Sequence, residues 1–132
     1  MNTLVGGYVP GSGILAINLT IADGVIPVNL VLSQDTSGSP VIAAGDASTQ
    51  INGQSSFSVG PTPGLNSVNI SLLNNGHQVV IQGLNTGSAP LNVTAGLGVG
   101  HLQIQGGSRI GGGMRYSAGA GSTCTILDKI GS

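Results

Sequence analysis

Apolar residues recur at every second position along most of this chain, and that period limits what it can fold into. Leu15, Ile17, Leu19 and Ile21 alternate with Ala16, Asn18 and Thr20. Successive side chains of a strand point to opposite faces, so this run reads as a strand with one face buried and one in water. The same pattern returns at Val28, Leu30 and Leu32, at Val68, Ile70 and Leu72, at Val79 and Ile81, at Leu91, Val93 and Ala95, and at Leu102 and Ile104. Shorter strands are predicted over 41–44, 49–51 and 56–59, and a last one within 123–130. No segment longer than about ten residues has a helical period.

Turn chemistry separates the runs. Asp23-Gly24 suits a tight turn because both residues accept positive φ, which predicts a hairpin between the first two runs. Pro27 opens the second run, where a missing N–H does least harm. Asn52-Gly53 and Asn74-Asn75-Gly76 read as further turns, and Gly60-Pro61-Thr62-Pro63-Gly64 as a stiff loop. About eight or nine short strands at roughly ten-residue spacing predict an all-β, antiparallel β-sandwich of jelly-roll or Ig-like type. No repeat with a period of roughly 20–50 residues is visible. The 132 residues suit one domain. It divides into an N-terminal arm (1–13), a sandwich body (14–105), and a Gly-rich segment with the last strand (106–132). The two end segments are expected to be flexible or to order against a neighbouring subunit.

Charge is nearly absent: three Lys/Arg and four Asp/Glu in the whole chain. The acids are Asp23, Asp35, Asp46 and Asp128; the cations Arg109, Arg115 and Lys129 all lie near the C-terminus. An ordinary soluble domain is about a quarter charged. Without a basic stripe there is no footprint for nucleic acid or anionic lipid. No apolar run reaches the ~20 residues of a membrane helix, so membrane insertion is not expected. Nor is a secretory leader visible; the expected location is extracellular or at a cell or virion surface, reached as a mature form with a new Met, by another export route or by lysis.

The inventory for chemistry is equally thin. Asp23, Asp35 and Asp46 sit in predicted turns, where Asp commonly hydrogen-bonds its own backbone. His77 and His101 lack metal-ligand spacing and read as surface or strand-end histidines. Calcium at Asp35 and Asp46 would lack EF-hand spacing. Gly11-Ser12-Gly13-Ile14-Leu15-Ala16 matches a loose dinucleotide pattern, but a strand follows it where a helix is required. Asn18, Asn69 and Asn92 begin glycosylation-type triplets within strands and read as polar-face residues. No enzyme activity, cofactor or metal is expected.

Self-association is what the composition favours. Uncharged strands have little to discourage edge pairing, and terminal segments can add a strand to a neighbour's sheet. The residues expected to act in assembly are Tyr8, Arg109, Arg115, Tyr116, Cys124 and Lys129, with Arg109 and Arg115 meeting Asp35 or Asp46 of another copy. The partner is the chain itself, in a homo-oligomer or filament. A virion capsid or decoration protein, and a module binding neutral glycans, are the alternatives. The absence of Trp counts against a glycan platform.

The phrases Gly53-Gln54-Ser55-Ser56-Phe57-Ser58-Val59 and Asn85-Thr86-Gly87-Ser88-Ala89-Pro90-Leu91-Asn92-Val93 give the chain a look similar to jelly-roll subunits of bacterial extracellular fibres, such as endospore appendages. That resemblance implies a structural role. It also implies cysteine cross-links from an N-terminal connector. Residues 1–13 contain no cysteine, so that mechanism does not carry over. Cys124 offers one inter-subunit bond at the other end.

Overall fold

The alternating runs form strands where they are predicted. A computed structural model describes residues 1–22, 26–62, 64–72, 76–96, 98–126 and 129–130. Its strands are β1 (Asn2–Val9), β2 (Ile14–Ile21), β3 (Val28–Gln34), β4 (Pro40–Ala44), β5 (Thr49–Ile51), β6 (Ser56–Ser58) and β7 (Ser67–Leu72). They continue as β8 (His77–Gln82), β9 (Leu91–Ala95), β10 (His101–Gln105), β11 (Arg109–Ile110), β12 (Met114–Ser117), β13 (Thr123–Ile126) and β14 (Lys129–Ile130). No helix occurs among the described residues. One six-stranded sheet has the order β12-β9-β7-β2-β1-β5, a second has β13-β10-β8-β3-β4-β6, and β11 pairs with β14.

Strand direction departs from the expectation. The sheets are mixed, and eight of the eleven pairings among the described residues are parallel. Parallel neighbours require a long crossover. Here the crossover of each sheet is a strand of the other, because the chain alternates from β2 to β3, β7 to β8, β9 to β10 and β12 to β13. The result is a coil of four rungs, each rung giving one strand to each sheet. It is not the antiparallel order of a jelly-roll or Ig sandwich. The predicted β2–β3 hairpin does not exist: β2 pairs with β1 and β7, β3 with β4 and β8. The Asp23-Gly24 turn lies outside the described residues, as do Asn74 and Asn75.

The coil also contains the repeat that inspection of the sequence does not reveal. Val68 stands beside Leu91 and Leu91 beside Met114, a step of 23 residues. Gln78 beside His101 repeats that step in the second sheet, and His101 beside Thr123 shortens it to 22. Between the first and second rungs an excursion carrying β4 to β6 lengthens the step to 53, from Leu15 to Val68.

Stacked rungs place like beside like. Leu15, Val68, Leu91 and Met114 form one inward ladder, and Ile17, Ile70, Val93 and Tyr116 another. Across from them run Leu30, Val79, Leu102 and Cys124, and Leu32, Ile81, Ile104 and Ile126. Both sheets contribute to one apolar cluster. On the outer face Asn92 Nδ2 donates to Asn69 Oδ1 at 3.0 Å, so two of the three sequon asparagines stack as a polar-face pair.

Residues 1–13 are not an arm. β1 lies inside the first sheet between β2 and β5, and Leu4 is fully buried. The backbone turns back through Gly13 (φ 69), whose N–H donates to Val9 O at 2.8 Å. At the far side of β1, Asn52 continues the sheet with its side chain: Nδ2 donates to Gly6 O at 2.9 Å and Oδ1 accepts from Gly6 N–H at 3.1 Å. Asn52-Gly53 makes the expected turn, with φ of 52 and 76. Residues 106–121 likewise order within their own chain, as β11, β12 and the links between them.

Candidate functional site: the open last rung

The two ends of the coil are finished differently. At the β5–β6 end, Leu4, Ile42 and Ile51 are covered, and Phe57 packs half-buried against the core. At the other end, β12 and β13 are the outermost strands of their sheets. Their inward-facing residues continue the core ladders, and among the described residues no further rung lies beyond them. Ile104 is 0% exposed, while its ladder neighbour Ile126 is 45% exposed. Cys124 is exposed beside buried Leu102, and Met114 and Tyr116 are half-buried beside buried Leu91 and Val93. Every residue of β13 is exposed.

The predicted assembly residues divide by position. Arg115, Tyr116 and Cys124 lie on this rung, with the Arg115 side chain outward and exposed. Arg109 is exposed on β11, in parallel register with Lys129 of β14, which brings the backbones of two cationic residues side by side at the corner of the coil. Tyr8 belongs elsewhere. It packs half-buried against the core from β1, four strands from β12. Asp35 is engaged within its own loop, and Asp46 by its loop and by Asn29 of β3. Asp35 Oδ1 accepts from Ser37 Oγ (2.7 Å), Ser37 N (2.9 Å) and Ser39 N (3.0 Å), and the Ser37 hydroxyl leads in holding this carboxyl below its ordinary pKa. Asp46 accepts from Ser48 N at 3.0 Å and Asn29 Nδ2 at 2.6 Å. Both bear out the turn reading for these acids.

One functional residue escapes the sequence reading. His77 stands at a strand end, as the first residue of β8, but it is 2% exposed and not at the surface. Its ring occupies the space a side chain would fill at Gly100, one rung further on. Nε2 hydrogen-bonds the Tyr116 hydroxyl, and the rings meet edge to face with centroids 5.6 Å apart at 77°. Nδ1 is buried and finds no partner among the described residues. Burial lowers the His77 pKa, helped by His101 nearby. Burial raises the Tyr116 phenol and, beside it, the Cys124 thiol, so both are neutral at physiological pH. The signal was present as a His in an inward position of an alternating run, aligned with a glycine. Only the 23-residue register makes that alignment visible.

Among the described residues no group of three His, Cys, Asp or Glu converges to hold a metal, and no helix is long and apolar enough to cross a membrane. A shallow cleft of about 560 Å³ lies at a corner of the coil, lined by Gln34, Thr62, Asn85, Thr86 and Ser88. Much of its polarity is spent internally: Gln34 Nε2 donates to Asn85 O at 3.1 Å and Thr86 Oγ1 to Ala89 O at 2.8 Å. No family model, curated protein or solved structure matches the chain.

Proposed function

We propose that this protein is a structural subunit of an extracellular or surface assembly, and that copies join by strand addition at the last rung, β12 with β13. The observation that carries this reading is the exposure of Ile126 and Cys124 at the end of ladders that are otherwise fully buried. Coiled repeats need a polar or covered terminal unit to stay apart in solution. The β5–β6 end has such a cover; among the described residues the β12–β13 end has none. Edge strands without inward charge pair readily with another chain, and no acid or Lys lies among residues 114–126. The near absence of Lys and Arg also leaves trypsin-like proteases few sites, which suits a long-lived exposed structure.

Because one end is bare and the other covered, the bare ends of two copies are the natural partners. This is an isologous contact, with a second surface needed to extend it into a fibre or shell. Sedimentation velocity and negative-stain microscopy of the purified chain test the reading. Association that is lost in Ile126→Lys supports it. A monodisperse monomer at high concentration, or association indifferent to that charge, overturns it.

A further inference from the structure

The last rung is held by a group that a proton would disable. His77 belongs to β8, Tyr116 to β12, and the imidazole bridges them at the level of Gly100, which has no side chain to intervene. Gly100 itself is tied to the last rung: its N–H donates to Ser122 Oγ at 3.1 Å, and its carbonyl accepts from Thr123 N–H at 2.9 Å. Imidazole, glycine and phenol thus form one contact running from the second rung to the fourth.

A neutral imidazole fits this place. Nε2 has the phenol, and Nδ1 needs no donor when it carries only a lone pair. An imidazolium does not fit. It carries an N–H on both nitrogens, and Nδ1 has no acceptor among the described residues. The titratable groups facing it are His101 of β10, whose charge would repel it, and Tyr116 of β12 with Cys124 of β13 behind, both neutral. Asp35 and Asp46, the described side-chain carboxylates, are engaged elsewhere, by Ser37 and by Ser48 with Asn29 of β3. A buried charge without a counter-ion drives a structure towards whichever conformation hydrates it. The least costly such conformation here lifts β12 and β13, because they have neighbours on one side only.

We propose that His77 is an acid-operated latch: protonation releases the last rung from the coil and so removes the surface by which copies join. The joining role rests on the reading above; the latch itself does not. The sign follows from linkage. With the native pKa below the ordinary 6.5, the opened rung binds more protons than the closed one. The closed rung is therefore favoured above that value and loses ground as pH falls below it.

Hydrogen exchange of the full chain, corrected for intrinsic rates, measures this directly. Between about pH 7.5 and 5.5, protection in β12 and β13 should fall by up to roughly tenfold, while β3 and β7 keep theirs. His77→Phe, which cannot titrate, should abolish the change, and His101→Gln should retain it. Should His77→Phe fail to fold, NMR titration of the wild-type imidazole serves: rung opening must track His77 and not His101. Protection that is independent of pH, or that follows His101, overturns the latch. A chain that stays monomeric yet opens its last rung in acid keeps the latch and removes the assembly reading. A chain that assembles with a rung indifferent to pH does the reverse.

Discussion

Gly100 shows how much a single position owes to its neighbours one rung away. Nothing local requires glycine there, but a Cβ would overlap the His77 ring. Gly100→Ala must push the imidazole off Tyr116 or shift backbone, and overpacking of this kind costs about 1–3 kcal/mol. A lower urea midpoint together with loss of the low His77 pKa is the expected result; a change in neither would show that the ring has room. Asp35 makes the opposite case, a residue whose role is local. Its carboxylate accepts three hydrogen bonds within five residues, led by Ser37. With a folded pKa below the ordinary 3.8, its contribution is present above that pH and lost as pH falls through the folded value. Asp35→Asn should lower stability slightly across the neutral region and flatten the acid limb below pH 3.8, where the wild type loses the same contribution, as urea unfolding across pH would record.

At the scale of the strand, ladder position decides cost more than residue type. Ile104 and Ile126 are adjacent members of one ladder, one covered on both sides and the other on one. Ile104→Ala should cost about 2–5 kcal/mol, as deletion of a sealed core side chain does. Ile126→Ala in the monomer should cost about 1 kcal/mol or less, in proportion to the smaller area it covers. Equal losses on chemical denaturation would mean that the last rung is sealed in the free chain, against the open end described above. The alternation told which residues of each strand face inward, and Leu15, Ile17, Leu30, Val79 and Ile104 are buried accordingly. It was silent on direction. One-sided burial yields the same period whether neighbours run parallel or antiparallel, and since antiparallel sheets usually face water on one side, the pattern read as a sandwich of hairpins.

For the whole molecule the controlling quantity is the length of one turn of coil. Stacked repeats interact with nearest neighbours, so a unit can be added or removed if its boundaries respect the step. Excising residues 91–113 joins Pro90 to Met114, the residue already in register with Leu91. That variant should keep a β-rich circular dichroism spectrum and cooperative unfolding at a lower midpoint. Excising 91–112 shifts every later residue to the other face and should abolish cooperative unfolding. If both behave alike, the rungs are not in the register described. This step was hidden for identifiable reasons. The excursion through β4 to β6 stretches the first interval, a one-residue loss shortens the last in the second sheet, and the ladders conserve apolar character rather than identity, as in Val68, Leu91 and Met114.

Local chemistry, then, determined what each short segment is: a strand with a known inner face, or a turn such as Asn52-Gly53 whose residues accept positive φ. It also determined that the outer surface carries very little charge and that Asp35 and Asp46 hold loop backbone. Tertiary structure decided which strands are neighbours, and with that the parallel coil, the burial of β1, the His77–Tyr116 contact and the open rung at β12 and β13. The physical reason lies in range. Side-chain period and turn propensity are properties of a few consecutive residues, whereas pairing depends on where the chain returns after a full turn, and one coil accommodates returns of 22, 23 or 53 residues with the same local pattern.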